Sequence, residues 1–114
     1  MNRRIDRIRE EIKKEVSNIL LYDLKDPRLR GMASVISVKV TNDLSYCTIY
    51  VSVLGDQSEK EDSMKAVKSA EGFVRRELSK RLGIRYVPEI KFELDESIDK
   101  SIRINEILNS LKQD

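Results

Sequence analysis

The sequence contains no histidine and no tryptophan, and it has a single cysteine among its 114 residues. Without histidine, the chain cannot form a His-based nucleophile triad or the usual imidazole zinc site. One cysteine permits neither an internal disulfide nor a cysteine cluster that holds a metal. Glycine is also scarce, at four residues, which leaves no place for a glycine-rich phosphate loop. These absences exclude several common enzyme classes.

Long hydrophobic runs are absent as well. No stretch approaches the roughly 20 apolar residues of a membrane span, and the N-terminus begins with charge where a secretory signal would have an apolar core. We therefore expect a reduced, cytoplasmic protein without membrane attachment. The length of 114 residues fits one domain at roughly 100–150 residues per domain.

Charge is distributed in blocks, although the net charge is only +2. Residues 1–30 carry nine basic and six acidic side chains, and residues 65–92 carry eight and three. Residues 31–64 and 93–114 are net acidic. Folding could bring the two basic blocks to one face that binds nucleic acid, or the charges could be a solvated surface with local ion pairs.

The first block is an amphipathic helix that we predict from Asn2 to Leu24, ending near Asp26-Pro27. Its first turn carries three arginines, a placement that opposes the helix dipole and that a purely structural helix would not need. These arginines could serve binding, or they could be tolerated surface charge. The apolar stripe consists of Ile5, Ile8, Ile12, Val16, Ile19 and Leu20.

Two runs with period-two alternation, Ser34–Val40 and Ser45–Val53, predict a hairpin of half-buried strands. Cys47 lies on the apolar face and is expected to be a core thiol. Tyr46 and Tyr50 lie on the other face, where they could stack on bases or pack across strands.

The polar stretch Gly55–Asp62 is predicted to be a connection, followed by a helix from Met64 to Leu82 that bends at Ser69-Ala70-Glu71-Gly72. Gly83 should end this helix. A third strand follows Pro88, and Asp95-Glu96-Ser97 could cap a short helix in the tail.

The predicted order, helix, strand, strand, helix, bend, helix, strand, indicates an α+β domain with a three-stranded sheet and its helices on one face. This is the element order of a type II KH domain, but Ser69-Ala70-Glu71-Gly72 replaces the GXXG loop of that fold. The chain resembles the ribosome-binding factor A family, in which an Ala-x-Gly kink stands at this position. The residues that carry the resemblance are Arg3, Arg4, Asp26-Pro27-Arg28, residues 41–45, 50–55 and 72–78, Pro88-Glu89-Ile90-Lys91-Phe92, Asp95 and Ser97.

The resemblance implies a KH-like domain over residues 1–97 and a short helical tail over 98–114. It implies a monomeric, non-enzymatic factor, without cofactor or metal, that binds the free small (30S) ribosomal subunit. The expected role is late maturation of 16S ribosomal RNA near its 5′-terminal helix, with an association with growth in the cold and no binding to DNA.

The side chains expected to contact RNA are the basic residues of the two basic blocks. They are Arg3, Arg4, Arg7, Arg28, Lys68, Arg75, Arg76, Lys80, Arg81 and Arg85. The residues expected to form the helix kink are Ser69, Ala70 and Gly72. Because the GXXG loop is missing, we expect recognition of shape and phosphate with little base specificity.

Two other functions are open. A protein-interaction module could use Tyr46, Thr48 and Tyr50 or the apolar tail, and its binding would survive high salt. A carboxylate-metal nuclease could use Asp95 and Asp99, although two acids at a helix start more commonly interact with the dipole.

Overall fold

The computed structural model describes residues 3–29, 32–96 and 108. It confirms the α+β architecture and the bend between the two later helices. The predicted tail, 98–114, and its cap at Ser97 lie outside the described residues except for Leu108, so the boundary at residue 97 stays a prediction. In chain order the elements are α1 (Arg3–Asn18), a π-helical segment (Ile19–Asp23), β1 (Met32–Val40), β2 (Tyr46–Leu54), α2 (Gln57–Ser69), α3 (Glu71–Leu82) and β3 (Glu89–Leu94).

The sheet has β2 at its centre, with β1 antiparallel on one side and β3 parallel on the other. The parallel pairing requires a crossover, which α2 and α3 provide. Along β2 the buried side chains alternate with half-buried ones, so one face of the sheet packs on helices and the other is more open. The buried side chains of β2 are Cys47, Ile49, Val51 and Val53.

The core lies between that face of the sheet and the apolar stripe of α1. Ile12 from α1, Ile49 from β2, Leu78 from α3 and Phe92 from β3 are each fully buried. Burial of one such side chain contributes about 1.5–3 kcal/mol before the entropy cost of ordering it. Cys47 is 1% exposed and belongs to the same core, which confirms the predicted core thiol. Its burial raises the pKa of the thiol to about 12.

The end of the first helix differs from the prediction, because residues 19–23 widen into a π turn. The amide of Leu24 donates to the carbonyl of Ile19 at 2.9 Å. The wider turn keeps both Ile19 and Leu20 buried while Leu21 and Tyr22 project into solvent. Such turns are inserted locally into an α-helix, and the apolar spacing of the sequence does not reveal them.

A β-bulge interrupts the alternation that the sequence predicted for β1. Val35 pairs with Val51 and Ser37 pairs with Tyr50, so Ile36 is the extra residue between them. Because of the bulge, the side chains that face the core change from odd-numbered to even-numbered positions along β1. The strand also begins two residues earlier than predicted, at Met32.

The prediction of a polar connection over Gly55–Asp62 is wrong, because α2 begins at Gln57. The carboxylate of Asp56 accepts from the Glu59 amide at 2.8 Å, and the Glu59 carboxylate accepts from the Asp56 amide at 3.2 Å. This reciprocal capping starts a helix whose first turns carry almost no apolar side chains. Gly55 precedes it with φ of +149°, and a Cβ there would lie 2.9 Å from the Cβ of Glu59.

Candidate nucleic-acid interface

The bend between α2 and α3 is centred on Ala70, whose φ and ψ are −93° and 3°. Its amide is shared between the carbonyls of Ala66 at 3.2 Å and Val67 at 3.1 Å, as at a helix end. The hydroxyl of Ser69 donates to the Lys65 carbonyl at 2.8 Å, a contact that bends helices. Ala70 is 7% exposed, so a small side chain lets the two helices meet over the core.

Glu71 fixes the start of α3 to the outer edge of the sheet. Its carboxylate accepts from the backbone amide of Phe92 in β3 at 2.8 Å. The neighbouring amides of Glu89 and Asp95 donate toward β2, so the Phe92 amide faces away from the central strand. The sequence pattern did not mark Glu71 as a functional residue, since an acidic side chain at a helix start is common.

Gly72 follows on the exposed side of α3. A Cβ built at this position would meet only the Nη1 atom of Arg76, at 3.6 Å, which is an ordinary contact. The fold therefore does not require glycine there. The absence of a side chain instead leaves the backbone of the first turn of α3 bare.

Arg76 and Lys80 continue from Gly72 at intervals of four residues and form one exposed stripe with it. Lys80 is 3.5 Å from Glu77 with 78% of its side chain exposed, so this ion pair holds it weakly. Among the described residues, Arg76 forms none of the ion pairs that hold its neighbours. We call Gly72, Arg76 and Lys80 the kink stripe.

Arg81 lies on a different side of α3 and has different partners. Its guanidinium contacts the carboxylates of Asp23, Glu77 at 3.4 Å and Glu15 at 3.5 Å. The side chain is only 27% exposed, and hydrogen bonding, first to Asp23, raises its pKa. Three acids around one cation give a net negative site that links α3 to α1 and to the π segment.

Two further arginines of the predicted set, Arg28 and Arg75, form hydrogen bonds within the protein. Arg28 donates to the carboxylate of Asp26 through Nε at 3.1 Å and Nη2 at 2.7 Å. This bidentate contact lowers the pKa of Asp26 to about 2. Arg75 donates to the carbonyl of Val87 at 3.1 Å, which connects α3 to the segment before β3.

The remaining predicted cations fall into separate places. Arg3 and Arg7 are exposed on α1, where Arg7 is 3.4 Å from Glu11. Arg4 and Arg85 line one cleft beside the hairpin turn. Lys68 lines another cleft beside the kink, together with Tyr46, Glu71 and Lys91. The structure therefore gathers part of the set at the kink and part near the start of α1.

Tyr22, Tyr46 and Tyr86 are exposed, and only Tyr46 was predicted from the sequence as a candidate contact. Tyr46 is 60% exposed beside the kink, while Tyr22 is 72% and Tyr86 is 76% exposed. Tyr50 is half-buried on the open face of the sheet. Tyr86 directly follows Arg85 of the second basic block, and this pairing of an aromatic with a basic residue could have indicated a nucleic-acid contact.

Within the described parts of the chain, no three acidic, cysteine or histidine side chains are grouped as metal ligands. Asp95 is placed at the end of β3, where its amide donates to the Val51 carbonyl at 2.7 Å, and Asp99 lies outside the described residues. Over the same described residues, none of the helices is long and apolar enough to cross a membrane.

The sequence matches one known protein family over most of its length. The family model described as Ribosome-binding factor A matches residues 4–108. A Ribosome-binding factor A from Clostridium novyi is 50% identical over 110 residues, which are 96% of this chain and 91% of that protein.

Solved structures show the same fold. A ribosome binding factor A relative from Thermotoga maritima, solved in solution, has a TM-score of 0.68 and 31% identity, covering 77% of this chain and 83% of its own. A homology model of the Thermus thermophilus ribosome binding factor A, fitted into a cryo-EM map of a 30S complex, has a TM-score of 0.67 and 23% identity, covering 79% of this chain and 93% of its own. The kink, the sheet order and these matches together show that the chain belongs to the ribosome-binding factor A family.

Proposed function

We propose that this protein binds the free small ribosomal subunit and contacts its RNA mainly through phosphates. The observation that carries the proposal is the kink stripe, which joins a bare helical backbone at Gly72 to two exposed cations, Arg76 and Lys80. The Thermus relative, described in complex with the 30S subunit, supports the choice of particle. An exposed glycine with flanking cations suits a phosphate chain, because residue 72 has no side chain to keep phosphates from the turn and the Arg76 guanidinium lies beside it.

The role that follows from binding is assistance in late maturation of 16S ribosomal RNA around its 5′-terminal helix. In this proposal the protein acts as a monomer by binding alone, without catalysis or a cofactor, and DNA is not a ligand. Stabilising one arrangement of an RNA helix requires only differential affinity for that arrangement. Such assistance matters most in the cold, where misfolded RNA rearranges slowly.

Sedimentation through sucrose gradients tests subunit binding directly. Purified protein is mixed with free small subunits, free large subunits or joined ribosomes at two salt concentrations. We expect the protein to sediment with the small subunit alone. Charge reversal of Arg76 and Lys80 should remove most of this binding and reduce the slope of log affinity against log salt by about 1.4–1.8 for the two lost phosphate contacts.

The matched control reverses two exposed lysines outside the kink stripe, Lys14 on α1 and Lys39 on the open face of β1. This variant has the same change in total charge and should bind almost as the unaltered protein does. Equal losses in the two variants would show a general charge effect and would contradict a site at the kink.

Maturation is tested separately in bacterial cells depleted of the protein. Complementation with the unaltered chain should restore the normal ends of 16S RNA, and the Arg76 and Lys80 reversal should leave precursor RNA in place, most clearly at low temperature. Full restoration by the reversal variant would separate maturation from the kink stripe.

A second candidate function is a protein-interaction module, which the 60% exposure of Tyr46 beside the kink favours. Binding that persists at high salt, survives the Arg76 and Lys80 reversal and is lost in Tyr46→Ala would support this function.

A further inference from the structure

A cleft of about 220 Å³ lies away from the kink, where three separate segments meet. The start of α1 contributes Arg4 and Ile8, the hairpin turn contributes Asp43 and Leu44, and the segment between α3 and β3 contributes Ile84, Arg85 and Tyr86. We call it the hairpin cleft.

Tyr86 supplies an aromatic wall to the hairpin cleft. Its side chain is 76% exposed, and the guanidinium carbon of Arg85 is 5.4 Å from the centre of its ring. The arginine therefore covers part of the ring while most of the side chain remains accessible. The next two residues, Val87 and Pro88, are buried, so the backbone that carries the tyrosine is anchored.

The floor of the hairpin cleft is apolar and is built with backbone strain. Ile8 is buried, and Leu44 and Ile84 pack partly against the core. Leu44 has φ of +61°, a left-handed conformation that costs a leucine roughly 1–2 kcal/mol. The turn holds this conformation, because the Leu44 amide donates to the Thr41 carbonyl at 2.9 Å. A left-handed residue after such a turn is common in hairpin loops, so the loop geometry fixes the place of Leu44 in the floor.

The charged groups around the floor of the hairpin cleft are both positive and negative. Arg4 and Arg85 provide two cations, and Asp43 provides a carboxylate that accepts from the Thr41 hydroxyl at 2.8 Å and the Ser45 amide at 3.1 Å. These hydrogen bonds lower the pKa of Asp43 and hold its carboxylate in place. It retains lone pairs that can accept from the amino groups of a base.

An aromatic wall, an apolar floor, two cations and one acceptor match the parts of a nucleotide. Unstacked RNA bases bind by stacking on aromatic rings and arginine planes and by hydrogen bonds at their edges. We propose that the hairpin cleft binds an unstacked nucleotide of RNA, with its base against Tyr86 and its phosphate beside Arg4 and Arg85. The biological source of that nucleotide rests on the proposed function, since small-subunit RNA is the RNA that the protein would meet.

Two substitutions at Tyr86 test the proposal on a short single-stranded RNA oligonucleotide that carries a fluorescent purine analogue. The unaltered protein should quench the analogue on binding. Tyr86→Phe keeps the ring and should bind equally well, whereas Tyr86→Ala should lose about 5- to 150-fold in affinity, the range measured for one stacked base. Since Tyr86 is mostly exposed, both variants should keep the melting temperature of the unaltered protein.

Tyr22→Ala is the matched control, because Tyr22 is similarly exposed but belongs to the π segment. It should leave RNA binding and quenching unchanged. Equal affinity of Tyr86→Ala and the unaltered protein, or an equal loss in Tyr22→Ala, would overturn the proposal.

Small-subunit sedimentation separates this proposal from the proposed function. Loss of subunit binding in Tyr86→Ala without loss of oligonucleotide binding would assign the hairpin cleft to a protein contact and overturn the nucleotide site. Failure of the unaltered protein to bind any subunit would refute the proposed function, while tyrosine-dependent oligonucleotide binding would still support the nucleotide site.

Discussion

On the side of α3 that faces α1, Arg81 is surrounded by Glu15, Asp23 and Glu77. On the outer side Arg76 is exposed, and its guanidinium lies beside Gly72. The two arginines are five residues apart in one basic block, and the sequence does not distinguish them. Their surroundings give them opposite capacities. Carboxylates that surround a cation, here Glu15 and Asp23 from other elements and Glu77 from α3 itself, neutralise it before a phosphate can. The acidic partners therefore decide which basic residues remain available for RNA.

The largest effects are expected when Arg76 and Arg81 are neutralised separately. Arg76→Gln should lower subunit affinity by about tenfold, as expected for one charged contact, and leave the melting temperature unchanged. Arg81→Gln should lower the melting temperature, because three carboxylates are then left without their shared cation, and the folded protein should keep its affinity. Calorimetry and gradient sedimentation on both variants measure the two effects. A folded Arg81→Gln variant that lost binding as Arg76→Gln does would assign Arg81 to the RNA contact.

The anchor of the kink should have the next largest effect on stability. Glu71→Ala leaves the Phe92 amide without its acceptor and should lower the free energy of unfolding by about 1–3 kcal/mol. Glu71→Gln retains a side-chain oxygen and should lose less. Urea denaturation measures both values, and equal stability of all three proteins would show that the contact contributes nothing to the fold.

Adding a single methyl group at Gly72 tests whether the kink stripe needs an exposed backbone. Gly72→Ala should raise the free energy of unfolding by about 0.5–1 kcal/mol, because alanine favours the helix and its Cβ meets only Arg76. If RNA backbone approaches the bare turn, the same change should weaken subunit binding. Gly83→Ala is the contrasting control, since φ of +62° makes it destabilising although nothing lies within 4 Å of the added carbon.

The smallest effect is expected at the pair of Asp26 and Arg28. The pKa of Asp26 falls from 3.8 to about 2, mainly through its hydrogen bond with Arg28. Because the folded pKa is the lower one, the pair stabilises the protein above about pH 4, and this contribution disappears as pH falls toward 2. Urea midpoints between pH 5 and pH 2 should therefore decline less in Asp26→Asn than in the unaltered chain. Parallel declines would show that the pair is irrelevant to stability.

The features that the sequence predicted well depend on local patterns. The alternation around Cys47 and Ile90 placed β2 and β3, the break at Ala70 placed the bend, and Gly83 ends α3 in the left-handed conformation expected of a helix-ending glycine. Each of these signals lies within a few residues of the element that it predicts.

The features that the sequence did not reveal depend on contacts between distant residues. Asp23 meets Arg81 across 58 positions of the chain, and Glu71 meets the Phe92 amide across 21. The hairpin cleft joins Arg4 to Tyr86 in the same way. The start of α2 was missed for a different reason, since its capping by Asp56 was present in the sequence but its first turns lack the apolar spacing on which the helix prediction relied.

The parallel pairing of β2 with β3 has a consequence for the order in which the chain acquires its structure. Residues 55–88 must be synthesised before β3 can pair with β2, and such non-local pairing is slow relative to hairpin formation. Phe92 adds a fully buried side chain to the core and its amide donates to the Glu71 carboxylate, so the contact that holds the start of α3 against the sheet forms only when β3 is in place. A nascent chain that ends before residue 92 would carry the kink stripe without the contact that ties Glu71, at the start of α3, to the sheet.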